Sequence, residues 1–524
     1  MNRSTRLELA RGIGVLFLLC LFSPKLNAQS ASIDWLDAQM PTRFEGTTFG
    51  VPWPKGAVQK QQNFELTNEN GAAIPVQTTP MAFWPDGSVK WTAVALGAHE
   101  KVGQSLQIKA IESSSTLKGI DWNETDTQLE INTGALRAIL NKRGDVLLAS
   151  LSTNGVETAT NGKLVLLHQN SVDEATTTVT PFSGKIERIQ LEQASPIKTV
   201  VKVEGKHAAP GQKDWLPFVV RLYFYANSAQ IRLVHTIIYD GDENQDFIKG
   251  LGIRFNVPLI DDLHNRHVRF VGSDNGVFAE AVKGLTGLRR PAGDRNTQAQ
   301  IEGRATDAVD QLPPAVQKGL PYIPAFSDYT LFQPTPQAFE INKRTAAGYT
   351  WLNSAYGTRS LGTGYLGGTK GGMAFGIRNF WQSHPAQIDI RNAASNLGEV
   401  TLWLWAPKAQ PMDLRFYHDG MGQDTYEKQW EGLEITYEDY EPGFGRPIGV
   451  ARTSELNLWA VATTPSNQAL AEFAQMVAQP PTLMVDRKHI LETNAFGKLW
   501  TVRETASDTN HPIFRKLDWY FDYY

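Results

Sequence analysis

The stretch Arg378-Asn379-Phe380-Trp381-Gln382-Ser383-His384-Pro385 sets two aromatic rings among a guanidinium and two carboxamides. Such rings stack on sugar faces, and Arg, Asn and Gln hydrogen-bond hydroxyls or carboxylates. Arg378, Asn379 and Trp381 are therefore candidate saccharide contacts, with an aromatic anchor of the core as the equal alternative. Arg415-Phe416-Tyr417-His418 groups a permanent cation, a phenol and an imidazole after a strand. Downstream lies the least generic segment, Tyr437-Glu438-Asp439-Tyr440-Glu441-Pro442-Gly443-Phe444-Gly445, followed by Arg446, Arg452 and Glu455. Gly/Pro-rich loops of this kind build sites on rigid sheets, while ion pairs Arg452–Glu455 or Arg446–Asp439 explain the same charges structurally. His235 sits mid-strand in Leu233-Val234-His235-Thr236-Ile237, with Val234 and Thr236 on the opposite face. A satisfied sheet histidine is the default there, and an acid–base or sugar-contacting role the alternative.

Asp240-Gly241-Asp242-Glu243-Asn244-Gln245-Asp246 places oxygens at alternate positions, as a calcium loop does. Gln245 stands where an EF-hand needs glycine, however, and Leu251 where it needs a bidentate glutamate, so a solvated turn is expected. No metal ligand set and no cofactor is expected, calcium being the minor alternative. No phosphate loop, zinc helix signature or nucleophile elbow occurs.

The elements around these residues are mostly strands. The chain has 524 residues, 41% hydrophobic and 20% charged, which allows several large cores. Its net charge of −4 advertises neither a nucleic acid nor an anionic membrane as partner. Arg3, Arg6 and Arg11 precede a short apolar run, Ile13 to Phe22, and then Leu26-Asn27-Ala28, the pattern of an export signal over residues 1–28 cleaved before Gln29. Cys20, the only cysteine, lies inside that run, so the mature chain is expected to hold no disulfide, to be exported to the periplasm or medium, and not to sit in a membrane.

Residues 30–120 read as a small β-barrel. Within it, Phe49 to Gly56 forms a Pro/Gly loop carrying an exposed-looking Trp53, and Pro85-Asp86-Gly87-Ser88 turns a hairpin. Residues 127–480 read as a large antiparallel sandwich, interrupted from Gly287 to about Leu320 by a polar, weakly patterned insertion. Ser466 caps a helix with Leu470, Phe473 and Val477 on one face, stopped by Pro480-Pro481. Residues 481–524 read as a linker and the opening of a helical domain. Ile513, Phe514, Leu517, Tyr520, Phe521 and Tyr524 form an apolar face on a helix of about twelve residues, too short to be stable without helical neighbours.

The segments TFGVPWPKG, PVQTTPMAFWPDGSVKW, IRLVHTIIYDGDENQDFIKGLG, AFGIRNFWQSHP and YEDYEPGFGRPIGVARTSEL, in this order from residue 48 to 456, resemble the rhamnogalacturonan exolyase-like family, related to polysaccharide lyase family 26. The resemblance implies an N-terminal small β-barrel, a central β-sandwich and a C-terminal α/α toroid, of which only the start is present. It also implies eliminative cleavage at galacturonate, from a chain end, of a rhamnogalacturonan substrate. Elimination needs a cation on the uronate carboxylate, a base for the C5 proton and an acid for the departing O4. Residue chemistry nominates Arg452 as the cation, His418 or His235 as base, Tyr417 or Tyr440 as acid, and Arg378, Asn379, Trp381 and Trp53 as substrate contacts. A noncatalytic carbohydrate-binding sandwich is one alternative. A glycoside hydrolase using Asp439 and Glu441 is another, and it would need two carboxylates flanking the bond.

Overall fold

The computed structural model describes residues 30–98, 102–112, 117–172, 176–415, 425–428, 430–431, 447–498 and 512–523. The strands alternate as their sequences demand. In Trp215–Tyr225, Phe218, Val220, Leu222 and Phe224 turn inward while Val219, Arg221 and Tyr223 turn outward. In Gln230–Ile238, Ile231, Leu233, His235 and Ile237 face inward and Arg232, Val234 and Thr236 outward.

These strands build a large, mainly antiparallel β-sandwich. One layer runs Val179–Gln193, Lys198–Ala208, Trp215–Tyr225, Gln230–Ile238, Ala451–Val461, Gly371–Ile377, Thr363–Gly368, Arg266–Val271 and Val277–Ala281. The other runs Val156–Gln169, Phe247–Pro258, Leu397–Trp405, Ala386–Arg391, Asp328–Thr335, Ala338–Arg344 and Leu352–Gly357. Val156–Gln169 also pairs with Val179–Gln193 and so joins the layers. Val203, Val220, Leu233, Phe375 and Leu458 meet Leu164, Phe255, Leu331, Ile388 and Leu402 in one core. Area burial of this extent is the main source of stability in a chain whose only cysteine, Cys20, lies outside the described residues.

The N-terminal domain is a small barrel of two sheets. Thr47–Pro52, Val89–Leu96 and Val76–Phe83 form one. Ser30–Trp35, Asn63–Asn68, Ala73–Ile74 and Ser105–Ile111 form the other, and Leu483–Val485 completes its edge. Residues 481–485 are therefore not a free linker: Ile33 lies opposite Val485, so the chain returns to its own beginning. The helix Arg487–Thr493 follows, and His489 donates from Nε2 to the Pro52 carbonyl at 2.8 Å.

That return settles the place of Trp53. Expected from its Pro/Gly loop to be exposed, Trp53 has no exposed surface. Its ring stacks on Phe64 at 5.1 Å and takes His489 edge-on at 5.9 Å, while Nε1 donates to Thr92 Oγ1 at 2.9 Å. A sugar cannot reach it, so its role is that of a core anchor.

The helix Asn467–Ala478 forms as its cap predicts. Ser466 Oγ accepts from the Ala469 amide at 3.1 Å, and Leu470, Phe473, Ala474 and Val477 pack on Val271, Tyr365, Ala374 and Val461. The insertion after Gly287 is more ordered than its pattern suggests, with helices Asp294–Glu302 and Pro314–Gly319. Helix Pro512–Tyr523 exposes Ile513, Leu517, Trp519 and Phe521.

Candidate functional site

Where the small barrel docks on the outer face of the sandwich, a cleft of about 260 Å³ opens. Strand parity selects its lining. Lys198 lies directly opposite Tyr225, Tyr223 opposite Arg232, and Arg232 opposite Asn457. All of these side chains stand on the outward face, together with Glu455, two residues along from Asn457. The barrel closes the cleft with Thr48, whose hydroxyl lies 3.1 Å from that of Tyr225. Close approach there requires Gly46: its φ is +102°, and a Cβ would stand 2.5 Å from Tyr225 Cγ.

Besides Glu45, which Arg43 and Ser228 already hold, the cleft has one other carboxylate for Lys198, Arg232 and Arg378. Glu455 accepts a bidentate pair from Arg232, at 2.7 and 2.8 Å, and a third bond from Arg378 Nη1 at 3.2 Å. One carboxylate thus serves two permanent cations. Burial pushes the Glu455 carboxyl up, but the bonds and charges of Arg232 and Arg378 outweigh this and hold it below its ordinary range. Among the described residues the buried Arg378 Nε–H has no hydrogen-bond partner.

Lys198 adds a third basic group. Among the described residues no carboxylate lies within ion-pair distance of its Nζ, which sits 5.5 Å from the Tyr223 ring centroid. The Arg232 guanidinium is 5.0 Å from the same ring. Desolvation first, and then the Arg232 charge, lower the Lys198 pKa. Burial raises that of Tyr225, so its phenol keeps its proton.

On the far side of Arg378 and Glu455 lies a second hollow of about 170 Å³, reached by Asn379, Ser383 and Thr453. Arg378 and Asn379 both line this hollow, Asn379 in a left-handed turn at φ +56°. Trp381 lines neither hollow, and its ring is covered by the Arg359 guanidinium at 4.4 Å.

Arg452 and His235 stand on the opposite face from the cleft. Arg452 is three residues from Glu455 on one strand, so the two point apart and form no ion pair. Its guanidinium donates to the Leu404 carbonyl at 3.2 Å and the Ser383 carbonyl at 3.5 Å, and burial lowers its pKa. It braces two chain segments instead of meeting a uronate. His235, pairing with Ser454, lies in the sandwich interior at 1% exposure, so it cannot serve as a base for an external substrate. Tyr417, His418 and Tyr440 lie outside the described residues. In the Asp240–Asp246 turn, Asp246 accepts from the Asp242 amide and pairs with His168, while Asp240 accepts from the Leu216 amide and Lys206. These carboxylates are committed to the turn and to the neighbouring strands that it docks on. Among the described residues no three acidic or histidine side chains converge on a metal position.

Lys198, Arg232 and Tyr225 are the residues that local motifs miss. Their signal is parity across neighbouring strands, with Arg221, Tyr223 and Tyr225 outward on one strand and Arg232 on the next.

The interior histidines carry their own prediction. Burial holds His235 down to about 3 and His207 to about 4, and among the described residues neither Nε2 has a partner. The unfolded chain protonates them near pH 6.5, so it binds more protons than the fold between there and those lowered values. Stability is full above pH 6.5 and is lost as pH falls, by roughly 3 kcal/mol per site near pH 4. Urea unfolding midpoints measured from pH 7 to 4 are expected to fall, with a shallower slope in His235→Met.

A small barrel preceding and clasped to a large sandwich defines a class of two-domain β proteins with a cleft at the domain junction. Two family models match this chain in that order: the PcRGLX-like N-terminal RIFT barrel domain over residues 29–111 and the PcRGLX-like protein central β-sandwich domain over residues 120–475. The chain belongs to the PcRGLX-like family. It is 32% identical over 497 residues to the uncharacterized protein YetA of Bacillus subtilis, covering 93% of this chain and 55% of YetA. The chain thus spans about half the length of that relative. Among solved structures, a glycosyl hydrolase family 38 protein and an α-mannosidase, both from Enterococcus faecalis, align at 10% identity and a TM-score of 0.46. Each alignment covers 89% of this chain, with 48% and 46% of theirs. A likeness at that level carries no functional weight.

Proposed function

We propose that the protein acts on rhamnogalacturonan as an exo-acting lyase, and that the junction cleft receives a galacturonate carboxylate. The observation that carries this reading is the pair of guanidiniums, Arg232 and Arg378, sharing the single carboxylate of Glu455 beside a lysine that has none among the described residues. A uronate supplies the missing negative charge. Family membership supports the same substrate class.

The residue chemistry fits elimination. Arg232 and Arg378 neutralise the carboxylate and so acidify the adjacent C5–H. Lys198, whose pKa desolvation lowers, takes that proton in its free-amine form. The C5–H electron pair forms the C4–C5 double bond as the C4–O4 bond breaks. Tyr225, kept protonated by burial, gives its proton to O4. Turnover rises with pH through the Lys198 pKa.

Incubation with rhamnogalacturonan is expected to release short products bearing an unsaturated galacturonate, seen as rising ultraviolet absorbance. Saturated new ends would replace this reading with hydrolysis, and binding without product would replace it with a carbohydrate-binding role. The reading includes export: secreted protein is expected to begin at Gln29, and an N-terminal mass retaining residues 1–28 would contradict it.

A further inference from the structure

The junction cleft continues beyond its own rim. Met476, Pro481 and Thr482, which line it, also line a further hollow of about 260 Å³, the same volume as the cleft. The loop from Leu36 to Arg43 forms one wall of this hollow. The helix Asn467–Ala478 forms the other, through Glu472, Gln475 and Met476. Arg43 lines the hollow and Glu45 the cleft, and their ion pair of 2.5 Å spans the boundary. The two hollows are thus neighbouring compartments of one groove.

Hydrogen bonds hold the loop in place. The Leu36 amide donates to the Thr482 carbonyl at 2.9 Å, the Met40 amide to Gln104 Oε1 at 3.0 Å, and Gln104 Nε2 to the Ala38 carbonyl at 2.8 Å. A wall set before a ligand arrives spares the cost of ordering it.

The lining differs from that of the cleft in charge. It contains two carboxylates, Asp37 and Glu472, and one cation, Arg43. That cation is already committed, paired with Glu45 and stacked over the Trp459 ring at 3.8 Å. A uronate placed here would meet like charge. A neutral ring meets no such penalty, because its hydroxyls donate to carboxylates. Gln39, Thr42 and Gln479 are exposed polar side chains on the same lining, and Met40, Met476 and Pro481 offer partly open apolar surface to the C–H face of a sugar.

We propose that this hollow binds the sugar linked to the galacturonate in the junction cleft, and that it selects a neutral pyranose over a second uronate. The inference rests on the uronate reading of the cleft. It makes the groove a reader of alternation along the glycan: cations take the acidic ring, and carboxylates turn away an acidic neighbour.

Titration of the full chain with methyl galacturonoside, with the two disaccharides that carry rhamnose on either side of galacturonate, and with a disaccharide of two galacturonates tests this. At least one mixed disaccharide is expected to bind roughly tenfold more tightly than methyl galacturonoside. The diacid is expected to bind no more tightly than methyl galacturonoside. Asp37→Lys, at an exposed loop position, is expected to raise the affinity of the diacid by about three- to tenfold and to leave that of methyl galacturonoside unchanged. Binding of methyl galacturonoside with no gain from either mixed disaccharide would overturn the proposal and leave the cleft reading in place. So would a diacid that binds as tightly as the better mixed disaccharide. Failure of all four ligands to bind would remove the cleft reading and this inference with it.

Discussion

Lys198→Met is expected to cut turnover on rhamnogalacturonan by about 10²–10⁴-fold, the range that removal of a positioned general base produces. The substitution keeps the length and apolar stem of the side chain, which packs beside Tyr223. Folding is therefore expected to be preserved, and removing a desolvated, unpaired basic group relieves strain instead of adding it. The pH profile supplies the sharper readout: the limb that rises with pH in the wild type disappears in the variant. A purely structural lysine would lower activity without altering that limb. Full turnover in Lys198→Met would remove Lys198 from the mechanism.

Glu455→Gln is expected to move stability and binding in opposite directions. Its carboxylate, 13% exposed, holds Arg232 and Arg378 together, and those guanidiniums are 39% and 36% exposed. Breaking a buried pair costs about 3–5 kcal/mol, and partial exposure of both arginines reduces this to about 2–3 kcal/mol. The thermal midpoint falls accordingly. The freed guanidiniums then accept an external carboxylate without competition, so galacturonate binds more tightly than to wild type and restores more of the lost stability. A midpoint loss with weaker galacturonate binding would show that Glu455 belongs to the ligand-holding geometry and not to its charge balance.

Much of this architecture is written in short-range pattern. Alternation in Trp215–Tyr225 and Gln230–Ile238 marks half-buried strands, and Ser466 with Leu470, Phe473 and Val477 marks a capped helix, because both signals act within a few residues. The same alternation placed His235 and Thr236 on opposite faces. Which of those faces is the core depends on the facing layer, assembled from strands as far apart in sequence as Val156–Gln169 and Leu397–Trp405. Trp53 shows the same limit: its loop reads as surface, yet His489, brought back by the edge strand Leu483–Val485, covers the ring. Arg378 and Asn379 share one hollow because a single turn holds them, which a local motif can register. Lys198 and Arg232 escape such a motif, since neither has a distinctive neighbour in sequence. Their meeting is a product of strand register. Arg452 misleads for the converse reason, as a motif-like neighbour of Glu455 that the pleat sends to the other side.

The most direct test is a crystal structure of the protein soaked with a galacturonate-containing oligosaccharide of rhamnogalacturonan. The uronate carboxylate is predicted to lie against Arg232 and Arg378, with Lys198 Nζ facing the C5 hydrogen. A sugar bound elsewhere, with the junction cleft holding only solvent at saturating ligand, would contradict it.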